Sequence, residues 1–416
     1  MNGGPTQAGS RSIPDQHLWK GRLPSRPTTA TPRFLLHGPS SSVGLTGALT
    51  RFTSLSEAED AVRGGTHGNL VAGAVPFDQG PGTSSFFLGQ RGAGRPVRSA
   101  SSAGSGGHFL PDVGFNDAET ANYIRLVERV LPLLRSPENS LEKVVIARAE
   151  RYFPTEHLDP MHLYGRIVDL YPGVHSYLVE HLETPGVYTL GASPELFMKK
   201  SGDIVTMTPL AGTIPRDPSL STAEDEERAR AELFTDKYLA EHRHLVEFML
   251  KGLKPFCGVL DHPDEPELLG VPGVWHLGTP IRGRLVDSRV RVADLVSALH
   301  PSPAVCGVPQ AESLHLITMN ESTRGYYGGL VGWTDSNGDC EFYMALRGLD
   351  LDAREHGSLR LRAGGGVVAG SRLDVEFAET TAKLATMRRA LGVEPSPSTR
   401  PPAYGTVVSR EPVRAA

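Results

Sequence analysis

The 416-residue sequence contains few cysteines, no large excess of charge and no long apolar run. Its three cysteines, Cys257, Cys306 and Cys340, are widely spaced and form no CxxC pair, which excludes a disulfide framework and fits a reducing compartment. The formal net charge of -5 leaves no broad basic surface, so we expect neither nucleic acid nor an acidic membrane surface as a main partner. No apolar run reaches the roughly 18 residues of a membrane span and no signal-peptide core is present, so we expect a cytoplasmic protein.

Three segments of the chain are rich in Gly, Ser, Pro or Arg: one at each end and one in the interior of the sequence. Residues 1–33 and 393–416 lack aliphatic clusters, and we predict that both are flexible tails. Residues 89–109 have a similar composition and are predicted to form a long surface loop. The remaining span, 34–392, is rich enough in apolar residues to bury a large core as a single domain.

The order of apolar patterns predicts an α+β protein. Strand-like segments occur in hairpin-like runs, whereas helical segments are long and isolated, and this order does not fit a doubly wound parallel sheet. The longest helical pattern, 223–256, predicts one continuous helix.

The segment "EFAETTAKL" places Glu376, Glu379 and Lys383 on one face of a predicted helix, because residues three, four and seven apart share a face. Leu384 begins an apolar stripe on a neighbouring face. Taken alone, the two acids and the lysine are typical of a solvated charged face, and a functional role needs support from the rest of the chain.

Two polar residues interrupt strand-like segments. Lys143 opens the run "KVVIAR" and either reaches solvent along the strand or, in a dry pocket, has a lowered pKa and serves as a general base. Glu195 follows Pro194 in "GASPELF", so it lies on a bend at a strand end. It is either a solvated turn residue or a buried carboxyl whose raised pKa suits a general acid.

Glu241 lies in the helical segment "DKYLAEHRHLVE" and has two interpretations. It pairs with Lys237 on the helix surface, or it supplies a carboxylate to Mg²⁺, which prefers oxygen ligands. The neighbouring His242 and His244 have no zinc-type spacing with any cysteine, so we interpret them as structural or surface residues.

The glycine run "LRAGGGVVAG" departs from the dinucleotide-binding pattern in its context, which argues against a nucleotide enzyme. Its backbone N–H groups can approach an anion closely because no side chain intervenes. Together with Arg347 and Lys383, this run is predicted to hold carboxylates.

Nine segments between about residues 140 and 392 closely resemble, in the same order, the chorismate-utilising enzymes of the menaquinone, siderophore and tryptophan pathways. The resemblance implies a fold like that of anthranilate synthase component I, with large antiparallel sheets and helices around a central active site. The segments are "KVVIAR", "GASPELF", "TPLAGTIPR", "DKYLAEHRHLV", "WHLGTPIRG", "HPSPAVCGVP", "RGYYGGLVGW", "LRAGGGVV" and "EFAETTAKLATM".

The same resemblance implies the substrate, cofactor and site. Chorismate is the expected substrate and Mg²⁺ the expected cofactor, with Glu241, Glu376 and Glu379 as metal ligands. Lys143 is the implied general base and Glu195 the implied general acid, while His276 and His300 are expected either to shape the pocket or to be structural. The implied substrate-binding residues are Gly212, Thr213, His276, Ala304, Tyr327, Leu346, Arg347, Gly364 and Lys383.

Five positions bear on the reaction within the family. Lys143 stands where anthranilate synthases have glutamine, which favours water as the nucleophile, and Ala211 stands where aminodeoxychorismate synthases have a nucleophilic lysine. Ala304 matches isochorismate synthases, whereas Tyr327 and Leu346 resemble salicylate synthases. We therefore expect an isochorismate synthase, with salicylate synthase as the nearest alternative and amination or non-catalytic chorismate binding behind it.

The resemblance leaves the pathway and the assembly open. Isochorismate feeds siderophore, menaquinone and salicylate biosynthesis, so an enzyme that uses isochorismate is the natural downstream partner. Members of the family vary in oligomeric state, and a monomer or a homodimer is expected.

Overall fold

A computed structural model of the protein describes residues 31–65, 69–80, 82–95, 109–111, 113–154, 157–217, 219–271, 273–354 and 357–393. The chain divides into Met1–Thr31 and a main unit, Pro32–Ala416, which contains all the elements below. The predicted tails lie outside the described residues except for 31–33 and Val393, as do 96–108 of the predicted loop. The first residues of that loop continue a strand rather than a loop.

The described residues form eight helices and twenty strands. The helices are α1 Leu55–Arg63, α2 Val113–Arg135, α3 Pro160–Leu170, α4 Thr222–Leu233, α5 Asp236–Leu253, α6 Val292–Leu299, α7 Gln310–Asn320 and α8 Leu373–Leu391. The first ten strands are β1 Phe34–His37, β2 Ser42–Phe52, β3 Asn69–Val75, β4 Ser85–Gly92, β5 Phe109–Pro111, β6 Lys143–Pro154, β7 His175–Glu180, β8 Val187–Ser193, β9 Leu196–Ser201 and β10 Ile204–Met207. The others are β11 Leu210–Pro215, β12 Cys257–Asp261, β13 Glu267–Val271, β14 Val274–Gly278, β15 Ile281–Leu285, β16 Gly307–Val308, β17 Leu330–Asp335, β18 Cys340–Met344, β19 Gly348–Asp352 and β20 Leu359–Val368.

Seventeen of these strands form one sheet, and β11, β14 and β13 form a second. The pairings are antiparallel, which confirms the predicted α+β class. In the large sheet, β6 and β20 share ten residue pairs, from Lys143 opposite Val368 to Tyr152 opposite Leu359. This pairing brings the predicted base beside the glycine run, although the two are far apart in sequence.

Helix α8 lies over β20 and buries its apolar stripe. Leu384, Met387 and Leu391 are each at most 2% exposed and pack in one cluster with residues of α3, β8 and β19. Burial of each such side chain contributes roughly 1.5–3 kcal/mol, so the orientation of the helix is strongly determined. The neighbouring face of α8, which carries the predicted acids, lines a cavity.

The prediction of one continuous helix over 223–256 is wrong. Helix α4 ends where Phe234 leaves helical geometry (φ -84°, ψ 48°), and α5 begins after the extended residue Thr235. The break allows Leu233 and Phe234 to pack against Trp275 of the small sheet. Tertiary packing has overridden a continuous helical pattern. Among the helices of the described residues, none combines the length and the apolar character needed to cross a membrane.

Three interruptions in the strand-like segments place side chains at the cavity. Pro194 and Glu195 separate β8 from β9, and the segment 345–347 separates β18 from β19. In β11, the pairing register shifts between Ala211 and Thr213, where Gly212 has a φ of +67° that favours glycine.

Candidate active site

Every site residue predicted from the sequence lines one cavity of about 160 Å³. The cavity lies where β6, the β8–β9 bend, the β11 bulge, α5, the β18–β19 turn, β20 and α8 meet. Its predicted lining residues are Lys143, Glu195, Gly212, Thr213, Glu241, His276, Ala304, Tyr327, Leu346, Arg347, Gly364, Glu376, Glu379 and Lys383.

Glu195 is held on its bend and is buried. Its backbone carbonyl accepts a hydrogen bond from the Met344 N–H at 3.1 Å, and the residue is 9% exposed. Burial raises the pKa of Glu195 from 4.5 to about 8, against the opposing effects of the Leu210 N–H and the Lys383 charge. The structure favours the buried alternative over the solvated one, and a carboxyl group with this pKa is largely protonated near neutral pH.

Lys143 is the first residue of β6 and is 6% exposed, so the solvent-reaching alternative is wrong. Its Nζ donates a hydrogen bond to Glu241 Oε1 at 2.6 Å. An ammonium group has no lone pair to accept a proton, so a general-base role requires that this ion pair opens and that the lysine first loses a proton. The side chain of Lys237, the alternative partner of Glu241, lies outside the described residues.

The two acids of α8 have different partners. Glu376 is 5% exposed, and its Oε1 accepts a hydrogen bond from Ser371 Oγ at 2.6 Å. Glu379 Oε1 accepts a hydrogen bond from Lys383 Nζ, which also donates to the Gly364 carbonyl at 3.0 Å. The solvated-face alternative is wrong for Glu376, since this acid is buried.

Two adjacent glycines of β20 lie close to the three predicted metal ligands. A Cβ atom at Gly365 would lie 3.1 Å from Glu376 Oε2 and 3.7 Å from Glu379 Oε1. A Cβ atom at Gly366 would lie 3.4 Å from Glu241 Oε1. All three carboxylates line the cavity, and their oxygens are the donors that Mg²⁺ prefers.

The donor chemistry fits Mg²⁺, but lysines engage two of the acids. Glu241 is paired with Lys143 and Glu379 with Lys383. Across the described ranges, no group of three or more His, Cys, Asp or Glu residues stands close enough to hold a metal ion. Binding of a cation by these acids would thus require that both lysines move.

The cationic end of the cavity is formed by Arg347 and Lys383. Arg347 has a left-handed backbone (φ +47°), and its Nη1 lies 3.5 Å from Thr386 Oγ1.

The Tyr327 phenol lies beside the glycine run. Burial raises the pKa of Tyr327, while Arg324 and the Gly364 N–H oppose this effect. The Gly364 N–H is therefore directed at the Tyr327 phenol, a contact that the prediction of a backbone anion site did not include.

The histidines have different environments. His276 lies 2.9 Å from Thr213 Oγ1 through its Nδ1, and burial with the Arg347 and Lys383 charges lowers its pKa to about 3, so it is neutral. His300 is buried outside the cavity lining, edge-on to Phe197, which favours the structural alternative for this residue.

The interpretation of the α5 histidines is confirmed. His242 is buried, and its Nε2 lies 2.7 Å from Thr279 Oγ1. His244 lies on the helix surface, with a side chain that is 44% exposed.

Arg324 and Arg362 line the cavity but were not predicted as site residues. Arg324 is 5% exposed and donates hydrogen bonds to the carbonyls of Val145 at 2.7 Å and Val305 at 2.9 Å. It thereby ties β6 to the segment that carries Ala304. Both arginines could have been predicted as cavity residues from the sequence, because each is a charged residue inside a segment that resembles the family. Arg324 begins "RGYYGGLVGW", and Arg362 lies in "LRAGGGVV".

A comparison with known families matches residues 110–392 to the family described as chorismate binding enzyme. Among curated relatives, MenF of Mycobacterium tuberculosis is 37% identical over 371 residues, covering 87% of this chain and 97% of the relative. Isochorismate synthase DhbC of Bacillus subtilis is 34% identical over 337 residues, covering 78% and 81%.

Solved structures show the same fold. DhbC of Bacillus anthracis matches with a TM-score of 0.74 and 27% identity, over 87% of this chain and 96% of that one. Anthranilate synthase component I of Streptococcus pneumoniae matches with a TM-score of 0.63 and 19% identity, over 90% and 95%. The predicted anthranilate synthase component I-like fold is confirmed.

Proposed function

This chain belongs to the family of chorismate binding enzymes, and on that premise we propose that it is an isochorismate synthase. The main support is that the buried Lys143 and the buried Glu195, whose carboxyl group has a raised pKa, line the same cavity. Such a pair can take a proton from water and give one to a leaving hydroxyl group. Relatives of this chain that are named isochorismate synthases support the same assignment.

The proposed reaction moves a hydroxyl group across the ring. Lys143, once separated from Glu241 and in its neutral form, accepts a proton from water as the water oxygen forms a bond to C2 of chorismate. The ring double bonds shift, the C4–oxygen bond breaks, and Glu195 gives its proton to the departing hydroxide, which leaves as water. The pKa of about 8 keeps Glu195 protonated until that step.

We propose that Glu241, Glu376 and Glu379 hold Mg²⁺, supported by the cavity that all three acids line and by their carboxylate chemistry. The ion, when bound, supplies positive charge that neutralises the ring carboxylate of the substrate. The three acids would hold the ion in place, and the hydrogen bond from Ser371 Oγ to Glu376 Oε1 fixes the orientation of the Glu376 carboxylate.

The remaining charges suit the second carboxylate of chorismate. Arg347 presents a planar fork that can bond a carboxylate through two N–H groups, and Lys383 adds a second positive charge. Neutral His276 and Thr213 supply hydrogen bonds without adding charge. We assign the enolpyruvyl carboxylate to this end of the cavity.

Salicylate synthase is the second candidate, because Tyr327 and Leu346 line the same cavity and resemble that subtype. Ala304 favours isochorismate synthase. The two functions differ only in whether pyruvate is expelled after isochorismate has formed.

One experiment tests the assignment. The purified protein is incubated with chorismate and Mg²⁺, with a metal-free sample as control, and the products are followed by chromatography. Isochorismate approaching an equilibrium mixture supports the proposal, whereas salicylate with equal pyruvate supports the second candidate. Anthranilate formed with ammonia, or chorismate left unchanged, would overturn both.

We also propose a cytoplasmic location, supported by the three free cysteines. The natural downstream partner is an enzyme that consumes isochorismate. Fractionation of the native cells, with detection of this protein, tests the location.

A further inference from the structure

The turn 345–347 determines where the Arg347 side chain points. Arg347 adopts a φ of +47°, which is uncommon for a residue with a side chain. Backbone bonds hold the turn on both sides: the Ala345 N–H donates to the Gly329 carbonyl at 2.8 Å, and the Ala192 N–H donates to the Arg347 carbonyl at 3.1 Å. A left-handed backbone of this kind persists only when its surroundings hold it firmly.

A side chain completes that support. The Tyr177 hydroxyl donates a hydrogen bond to the Leu346 carbonyl at 3.0 Å, directly before the left-handed residue. Tyr177 belongs to β7 and is 1% exposed, so water cannot replace its hydroxyl group easily.

The Tyr177 hydroxyl occupies a slot between two glycines of neighbouring strands. A Cβ atom at Gly191 of β8 would lie 2.5 Å from the phenol oxygen, and one at Gly348 of β19 would lie 2.4 Å from it. Both distances are below 3.0 Å, a separation that real Cβ atoms essentially never show from a non-bonded atom, so this position of the hydroxyl group depends on glycine at both sites. The slot fits a tyrosine hydroxyl closely.

We propose that Tyr177 is a positioning residue that sets the direction of Arg347 toward the substrate. This inference rests on the proposed function, in which Arg347 binds a carboxylate of chorismate. Tyr177 does not line the cavity, so it acts through the turn rather than by touching the substrate. Its hydrogen bond holds the Leu346 carbonyl, and this fixes the peptide from which the left-handed Arg347 projects.

The test is Tyr177→Phe, which keeps the ring and removes the hydroxyl group. We expect KM for chorismate to rise about tenfold with kcat within about threefold, because Arg347 contributes binding to substrate and transition state alike. In an Arg347→Gln background the same change should leave KM unaltered, since the residue through which Tyr177 acts is gone. An equal rise in both backgrounds would overturn the inference.

Tyr164→Phe is the matched control. Tyr164 of α3 is also fully buried, and its hydroxyl donates to the Gly94 carbonyl at 2.9 Å and to the Ser176 carbonyl at 3.4 Å, neither of which belongs to the turn 345–347. Both variants should lose comparable stability in urea, whereas only Tyr177→Phe should change KM. An unchanged KM in Tyr177→Phe would reduce Tyr177 to a structural residue.

Hydrogen exchange separates a failure of this inference from a failure of the proposed function. Amide exchange in a peptide covering 344–349 should be faster in Tyr177→Phe than in the wild-type protein and unchanged in Tyr164→Phe. Unchanged exchange in Tyr177→Phe refutes the positioning role whatever the substrate is. A wild-type protein that leaves chorismate unchanged refutes the proposed function instead.

Discussion

Replacing Glu195 with glutamine should make the protein more stable at alkaline pH while removing its activity. The native state holds the Glu195 proton up to about pH 8, whereas the unfolded chain releases it near pH 4.5. Between these values the unfolded state binds fewer protons, so the free energy of unfolding of the wild type falls as pH rises and levels off above about pH 8. Glutamine is neutral throughout and removes that loss.

The size of the effect follows from the pKa. The difference between 4.5 and about 8 corresponds to at most about 5 kcal/mol at pH 9, and to a small effect at pH 5. Turnover should fall by about 10² to 10⁴, because glutamine cannot supply the proton for the departing hydroxyl group. Stability and activity should therefore change in opposite directions.

Urea unfolding of wild type and Glu195→Gln at pH 5 and pH 9, with kcat measured at pH 7.5, checks both parts. Glu265→Gln, which changes an exposed acid, is the control and should alter neither quantity. A Glu195→Gln protein that gains no stability over wild type between pH 5 and pH 9 would refute the burial argument. Near wild-type turnover would refute the general-acid role.

Three further variants test the remaining parts of the site. Lys143→Ala should lower kcat by about 10² to 10⁴ if Lys143 is the base, and turnover close to wild type in a product assay would remove that role. Gly365→Ala should weaken Mg²⁺ binding by calorimetry about tenfold or more, because the added carbon lies 3.1 Å from Glu376 Oε2, and unchanged affinity would argue against this metal site. Arg324→Met should cost about 3–5 kcal/mol of unfolding free energy in urea, since Glu321 would stay buried beside a missing partner, and a loss below about 1 kcal/mol would contradict this.

Local pattern and family resemblance together predicted most of the elements and the lining of the cavity, but not its charge pairing. Glu195 was placed correctly on a bend because Pro194 cannot continue the strand. The ion pair of Lys143 and Glu241 joins residues 98 positions apart, and no local rule specifies such a contact.

The end of α4 was missed for a similar reason. No Gly or Pro marks the break, and the only local signal is Thr235, an N-cap type of residue followed by the acidic Asp236 of the first turn of α5. The break is set by the apolar contacts of Leu233 and Phe234 with the small sheet, which exist only in the folded chain. Arg324 was missed because its role is to hold two distant carbonyl groups.

The pairing of β6 with β20 has a consequence for the growing chain on the ribosome. The edge of β6 that pairs with β20 has no partner until Leu359 and the residues after it have been synthesised, about 200 residues after Pro154. Until then the strand that carries Lys143 has an open edge, which exposes the nascent chain to wrong pairing. The candidate site is thus completed only when the last strand and α8 arrive, so a chain that stops short of them lacks Gly364, Glu376, Glu379 and Lys383 and has an incomplete site.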